Sequence, residues 1–197
     1  SAARAAPRRE LEEARVEVVE RLARAAEFRD DDTGLHLRRV GELAAALAER
    51  VGLARATVEV VRRAAPLHDV GKIGIPDAIL LKPGPLLPDE EEVMRTHPVL
   101  GARILGGGST SLVRAAEEIA LSHHERWDGW GYPRGLAQRR ISVLARIVAI
   151  ADVYDALSHP RPYRPAWEPD RVRAFIEEEA GSRFDPALAR AFLEMIP

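Results

Sequence analysis

The stretch Pro66-Leu67-His68-Asp69-Val70-Gly71-Lys72-Ile73-Gly74-Ile75-Pro76-Asp77 decides how this chain is read. An apolar helical pattern runs into it, with Val58, Val61, Ala65 and His68 on one face. His68 and Asp69 leave the end of that helix together, and Lys72 follows in a turn bracketed by glycines. Imidazole and carboxylate are ligands for a divalent transition metal. Successive helical positions point about 100° apart, so this pair does not chelate one ion as an i,i+4 pair would. Two uses stay open: a ligand to each of two neighbouring ions, or a bridging carboxylate at Asp69. Gly71 and Gly74 let the backbone bend close to a ligand, and Lys72 is well placed to meet a phosphate. His-Asp alone is a common dipeptide, so the case rests on where the other histidines fall.

They fall at comparable places. His36 heads a buried stripe that continues through Val40, Leu43 and Leu47. Leu112, Ala116, Ile119 and His123 lie in line on a later helix, with His124 directly after. His97 precedes Pro98 and the apolar segment 99–105. The helix Ile141–Leu157 is apolar almost all round, which marks it as deeply buried. It nevertheless holds Asp152 on its Ala145/Val148 face, with Asp155 nearly a turn later. A single buried histidine is ordinarily hydrogen-bonded core, but burying a lone carboxylate is costly unless it is paired or metal-bound. Five of the six histidines and a buried aspartate at inward helix ends point to a shared metal centre.

Composition sets the frame. The chain has 197 residues, 46% hydrophobic and 30% charged, which suits one soluble domain with a substantial core. A net charge of -2 and a pI near 6.3 give no face for a nucleic-acid polymer or a membrane surface. No cysteine is present, which removes disulfides, zinc-thiolate sites and thiol nucleophiles and is compatible with a reducing cytoplasm. No apolar run is long enough to cross a bilayer, and the start lacks the order of a signal peptide. Strand signals are almost absent, so the fold class is all-α.

Residues 1–10 read as a tail or linker remnant, and 11–197 as one domain that includes a linker helix at 11–29. That helix has one apolar stripe of Val16, Val19, Ala23 and Ala26 and a second of Leu11, Val18, Leu22 and Ala25. Either its own domain half-wraps it, or it pairs with a second chain and carries an upstream signal. Asp30, Asp31, Asp32 and Thr33 make a helix start. Lys82-Pro83-Gly84-Pro85 reads as a rigid turn and Gly106-Gly107-Gly108 as a helix stop. The loop from Trp127 to Pro133 offers rings for a base, a lid, or a docking surface. The part through Phe184-Asp185-Pro186 to Met195 adds core and tells little about function.

Together these residues resemble an HD-GYP domain, a branch of the HD metal-dependent phosphohydrolases. The matching pieces are Arg29-Asp30 with Thr33-Gly34-Leu35-His36-Leu37-Arg38-Arg39-Val40, then His68 to Asp77, Leu81-Lys82-Pro83-Gly84 and His97-Pro98. They continue with His123-His124-Glu125-Arg126-Trp127-Asp128-Gly129-Trp130-Gly131-Tyr132-Pro133, Ala151-Asp152-Val153-Tyr154-Asp155-Ala156-Leu157 and Arg161-Pro162-Tyr163-Arg164. The resemblance implies an HD-domain helical bundle that opens cyclic di-GMP to linear pGpG or GMP by a metal-bridged hydroxide, behind an upstream receiver or sensor module. It implies His36, His68, Asp69, His97, His123, His124 and Asp152 as metal ligands, with Asp69 bridging. Tyr132, Arg161 and Arg164 correspond to residues that hold the nucleotide, and Lys72 to the one facing the scissile phosphate. Asp155 is expected to orient a ligand histidine rather than bind metal.

The chemistry agrees with the resemblance. A phosphodiester is anionic and resists hydroxide; two ions about 3.5–4 Å apart can lower the pKa of a bridging water and hold both reacting oxygens. No Ser, Cys or Thr nucleophile is then needed. A ligand set of nitrogen and oxygen without sulfur favours Fe or Mn over structural zinc. Two departures from the family pattern stand out. His159-Pro160 replaces the usual Ser-Asp, and His159 is expected to face solvent. Asp32 stands where members with a third metal carry Glu, and its side chain is shorter by roughly 1.5 Å, so the expectation is two firm ions and a weak or absent third. Other readings are a different cyclic dinucleotide or nucleotide as substrate, or an interaction module that docks cyclase domains.

Overall fold

The computed structural model describes residues 14, 17, 18, 20–25, 35–160 and 165–196. From Leu35 onward nine α-helices follow one another among these residues. They are α1 (Leu35–Arg50), α2 (Arg55–Ala64), α3 (Asp77–Leu80), α4 (Pro88–Met94), α5 (His97–Leu105), α6 (Ser111–Ser122), α7 (Val143–Ser158), α8 (Pro169–Glu178) and α9 (Pro186–Leu193). Short 3-10 turns occupy Ala65–Leu67, Val70–Gly74 and Gln138–Arg140. Among the described residues there is no strand, only one isolated bridge between Ala180 and Phe184, so the all-α reading holds. No described helix is long and apolar enough to cross a membrane. Asp32, Arg161 and Arg164 lie outside the described residues, as does most of the linker helix 11–29.

Local chemistry sets the helix ends. The Thr110 side chain accepts from the Val113 amide (3.2 Å) at the start of α6, and Asp185 from the Ala187 amide (2.9 Å) at the start of α9. Proline opens α4, α5, α8 and α9, where a missing N–H costs nothing. Gly106 ends α5, as the triple glycine suggested. The apolar helix α7 lies at the centre, with Ile147, Val148, Ile150 and Ala151 fully buried. It packs against α1 and α6, while α8 and α9 close over it. Phe184 and Phe192 fill the far side of that core, where a Phe→Ala change costs about 3–5 kcal/mol.

Two boundaries differ from the sequence reading. α7 starts at Val143 because Ile141, though buried, has extended backbone (ψ 131°) after the Gln138–Arg140 turn. α2 does not run on to His68: it stops at Ala64 and tightens into the Ala65–Leu67 turn. Pro66 has no N–H to continue the helical ladder, so the last turn closes as 3-10. In the linker helix, residues 20–25 are helical, Ala23 is buried in the core, and Val18 and Leu22 are exposed. Glu20 reaches Arg63 of α2 at 3.1 Å.

One glycine is indispensable to the site's geometry. A Cβ on Gly71 would sit 1.9 Å from the His97 carbonyl oxygen and 2.4 Å from the Gly101 amide. The Val70–Gly74 turn and α5 therefore meet backbone to backbone, which brings His97 beside Asp69.

Candidate metal centre and its cavity

The tightened turn after Ala64 aims His68 inward, where it is fully buried, and Asp69 then turns away with φ −101° and ψ 10°. Its carboxylate ends up between imidazoles. Asp69 Oδ1 lies 3.2 Å from His97 Nε2 and 3.4 Å from His123 Nε2, while Oδ2 lies 3.4 Å from His68 Nε2. Asp152 Oδ1 is 3.4 Å from His36 Nε2 and 3.7 Å from His68 Nε2. Two groups result: Asp69, His97, His123 and His124 in one, and His36, His68 and Asp152 in the other, each with ligand atoms within 4.8 Å. The structure thus brings together all seven side chains implied as ligands. Lys72 Nζ sits 2.8 Å from Asp69 Oδ2.

The imidazole tautomers follow from their outer partners. His68 Nδ1 donates to the Ala65 carbonyl oxygen (2.9 Å), His97 Nδ1 to that of Met94 (2.8 Å), and His123 Nδ1 to that of Ala120 (3.0 Å). A carbonyl only accepts, so Nδ1 carries the proton and Nε2 presents a lone pair inward. His36 has a different support: its Nδ1 is 2.7 Å from Asp155 Oδ2. Asp155 is almost wholly buried and is clamped by Arg39, whose Nε and Nη2 donate at 2.5 and 2.9 Å.

This donor set fits a cation. His68 Nε2 and Asp69 Oδ1 are buried with no hydrogen-bond partner among the described residues. His97 Nε2 and His123 Nε2 face each other at 3.4 Å, both close to the same anionic oxygen. Converging lone pairs with no proton between them are what a divalent ion resolves, and nitrogen with oxygen and no sulfur suits a transition metal. The electrostatics show how strongly the buried carboxylates draw positive charge. Burial opposes charge on Asp69, yet Lys72 and the surrounding imidazoles hold it well below the usual carboxylate range. Asp152 is held low against burial by His36 and His68. Burial, helped by His123 and His97, pushes His124 well below the usual imidazole value. Burial also disfavours charge on His36, but Asp152 and Asp155 outweigh it and raise the group from 6.5 to about 10.

Above these groups lies a cavity of about 820 Å³ whose lining includes His123, His124, Asp152 and Tyr132. The Tyr132 ring stacks on His124 (centroids 4.7 Å apart, planes 23°), with the Arg95 guanidinium 5.0 Å from its centre. Gly131 admits no side chain, because a Cβ would lie 2.3 Å from the Arg126 amide. Trp130 is 86% exposed at the rim, whereas Trp127 is half-buried beneath Arg146.

Sequence reasoning gave no role to Arg39 or Glu125. Arg39 lies one helical turn after His36, a signal that was available. Glu125 is buried, and its two oxygens accept from the Arg134 and Leu136 amides at 2.8 Å each, tying down the Tyr132 loop. Periodicity gives no sign of that bond. His159 faces solvent in part, as expected, with its side chain 40% exposed, but its Nδ1 also donates to the Asp155 carbonyl oxygen (3.1 Å) and it lies 3.2 Å from Asp155 Oδ1. The free carbonyls at the end of α7 attract it.

Residues 17–188 match the HD domain family. The chain belongs to that family. HD domains are metal-dependent phosphohydrolases, in keeping with the two ligand groups. The HD-GYP branch read from the sequence agrees with the relatives. The cyclic di-GMP phosphodiesterase response regulator RpfG of Xanthomonas campestris pv. campestris is 47% identical, over 93% of this chain and 49% of that protein. The 3'3'-cGAMP-specific phosphodiesterase 2 of Vibrio cholerae is 42% identical, over 94% of this chain and 35% of that one. An HDG"Y"P protein of Bdellovibrio bacteriovorus shares the fold with a TM-score of 0.66 at 20% identity, covering 93% of this chain and 61% of its own. The HD domain chain spans about half the length, or less, of these curated relatives.

Proposed function

We propose that this HD domain hydrolyses cyclic di-GMP, adding water across one P–O bond to leave a linear pGpG that a second cut turns into GMP. The observation that carries the reading is the convergence of five imidazoles with the Asp69 and Asp152 carboxylates at the floor of the cavity. The substrate class is supported by RpfG, named a cyclic di-GMP phosphodiesterase, at 47% identity. In this reading His36, His68 and Asp152 would hold one divalent ion and His97, His123 and His124 a second, with Asp69 shared between them; Fe or Mn would suit the donors better than Zn. When bound, the two ions shield the phosphodiester charge and make water a nucleophile at neutral pH. A third ion at Asp32 is not part of the proposal.

The chain's own residues do the remaining work. Backbone carbonyls fix the inward nitrogens of His68, His97 and His123, and Asp155 fixes that of His36, so the ligands are oriented before substrate arrives. Lys72, close to the bridging carboxylate, offers positive charge to a non-bridging phosphate oxygen as charge develops there. Tyr132, stacked on His124, lines the cavity and holds the nucleotide there, and Arg161 and Arg164 hold phosphate or guanine with planar forks. The test is product analysis beside metal analysis. The metal-loaded chain is expected to convert cyclic di-GMP to pGpG or GMP and the stripped chain to leave it intact. No product from the loaded chain would overturn the reading.

A second reading takes 3'3'-cGAMP as substrate, favoured by the 42% identity to an enzyme named specific for it. The ratio of kcat/KM for the two dinucleotides decides between them. The proposal extends to organisation: 11–197 form one catalytic domain with its linker helix, in the cytoplasm, regulated by an upstream receiver or sensor module. Exposed Val18 and Leu22 support a homodimer through helix 11–29, which sedimentation of Leu22→Glu against the unaltered chain tests.

A further inference from the structure

The cavity contains a cation with no assigned use. Arg95 lines it but is paired with Glu91 at 2.6 Å, and Arg126 with Asp128 at 2.7 Å and Glu179 at 3.6 Å. Arg183 lines the same cavity, and the described residues give its guanidinium neither a hydrogen bond nor an ion pair. Its backbone, by contrast, is fixed on every side. The Arg183 carbonyl oxygen accepts from the Trp127 amide (3.1 Å), and that of Ser182 from the Asp128 amide (2.8 Å). Gly181 N donates to the Phe184 carbonyl oxygen (2.8 Å), and the Phe184 ring is buried in the core. The side chain is therefore held at the cavity by an anchored turn and has no competing carboxylate to leave.

A guanidinium is charged at every working pH and matches a phosphate with two parallel donors. A cyclic dinucleotide carries two phosphodiesters on opposite sides of its ring. Only one can lie at the ligand groups around Asp69, so the other anion must rest against the cavity wall. We propose that Arg183 receives this second, non-reacting phosphate and so selects cyclic dinucleotides over diesters with one phosphate. The inference rests on the substrate reading above and adds a specificity-determining residue to it.

The experiment uses the full, metal-loaded chain with cyclic di-GMP and with bis(p-nitrophenyl) phosphate, which has one phosphate and no second anion to place. For Arg183→Gln, loss of one charge-assisted contact should raise KM for cyclic di-GMP about tenfold, with kcat within about twofold. Turnover of the small diester should not change, which also shows that the variant is folded. Arg183→Lys should fall between the two. KM of the unaltered chain should rise with ionic strength, and that of Arg183→Gln less steeply, because a screened ion contact has been removed. An unchanged KM, an equal loss on both substrates, or an unaltered salt dependence would overturn the assignment alone. An unaltered chain that cleaves the small diester but leaves cyclic di-GMP intact would overturn both this inference and the substrate reading.

Discussion

The two ligand groups use the same kinds of side chain, but His36 is braced differently from the other histidines whose partners are seen. His97 and His123, like His68, lean on carbonyl oxygens three residues back along their own backbone. That brace forms whenever the local turn forms, and no side-chain substitution removes it. His36 leans instead on Asp155, which is 119 residues away in sequence and is itself held by Arg39 and His159. The braces of His97 and His123 are thus products of local geometry, whereas that of His36 depends on α1 and α7 packing correctly. Asp69 belongs to both environments. The difference teaches that ligand identity alone does not set robustness: the outer partner does, and the charged brace is the one that distant changes can loosen.

The largest effect is expected where the contrast vanishes. Asp69→Ala touches both groups and should cut metal content in each and reduce hydrolysis by about 10³-fold or more, while circular dichroism shows the helices intact. Turnover retained with metal depleted would remove Asp69 from its central place. Next comes Gly71→Ala. Its methyl has no room against the His97 carbonyl, so the variant should lose about 2 kcal/mol or more in denaturant unfolding and lose metal first from the His97 group. Unchanged stability would mean that α5 can retreat without cost.

Asp155→Asn and Arg39→Gln probe the charged brace. Each should weaken metal binding to the His36 group by about 10–100-fold and leave the His97 group nearly unchanged, as read by titration with a chromophoric chelator. Equal weakening of both groups would erase the proposed asymmetry. The smallest effects concern recognition. Tyr132→Phe, Arg161→Ala and Arg164→Ala should each weaken cyclic di-GMP binding several-fold to tenfold while sparing a small phosphodiester, which paired kinetics would show. Parallel losses on both substrates would assign these residues to chemistry or folding.

Much of this was legible in the sequence because helical periodicity reports which face is inward. The stripe that begins at His36 and those that end at His68 and His123 turned three imidazoles inward, and the apolar continuity of α7 turned Asp152 inward too, where it is half-buried beside the fully buried Ala151. The rest depends on contacts that periodicity does not encode. Asp69 faces both groups only because Pro66 tightens the preceding turn. The Arg39–Asp155 clamp joins helices far apart in the chain, and Glu125 bonds amides of a loop that has no regular pattern. The bond of His159 to a helix-end carbonyl one turn back was not legible either, although its partly solvent-facing place was. Arg183 sits in a segment that reads as core from its neighbours Phe184 and Asp185, and only the folded cavity shows where it lies.

The central claim is that Asp69 joins two metal positions, and anomalous diffraction from crystals of the Fe- or Mn-loaded chain tests it most directly. Two ions are expected about 3.5–4 Å apart, one among His36, His68 and Asp152, the other among His97, His123 and His124, with the Asp69 carboxylate between them and Asp32 bound to neither. A single ion, two ions that share no oxygen of Asp69, or a third at full occupancy on Asp32 would contradict it.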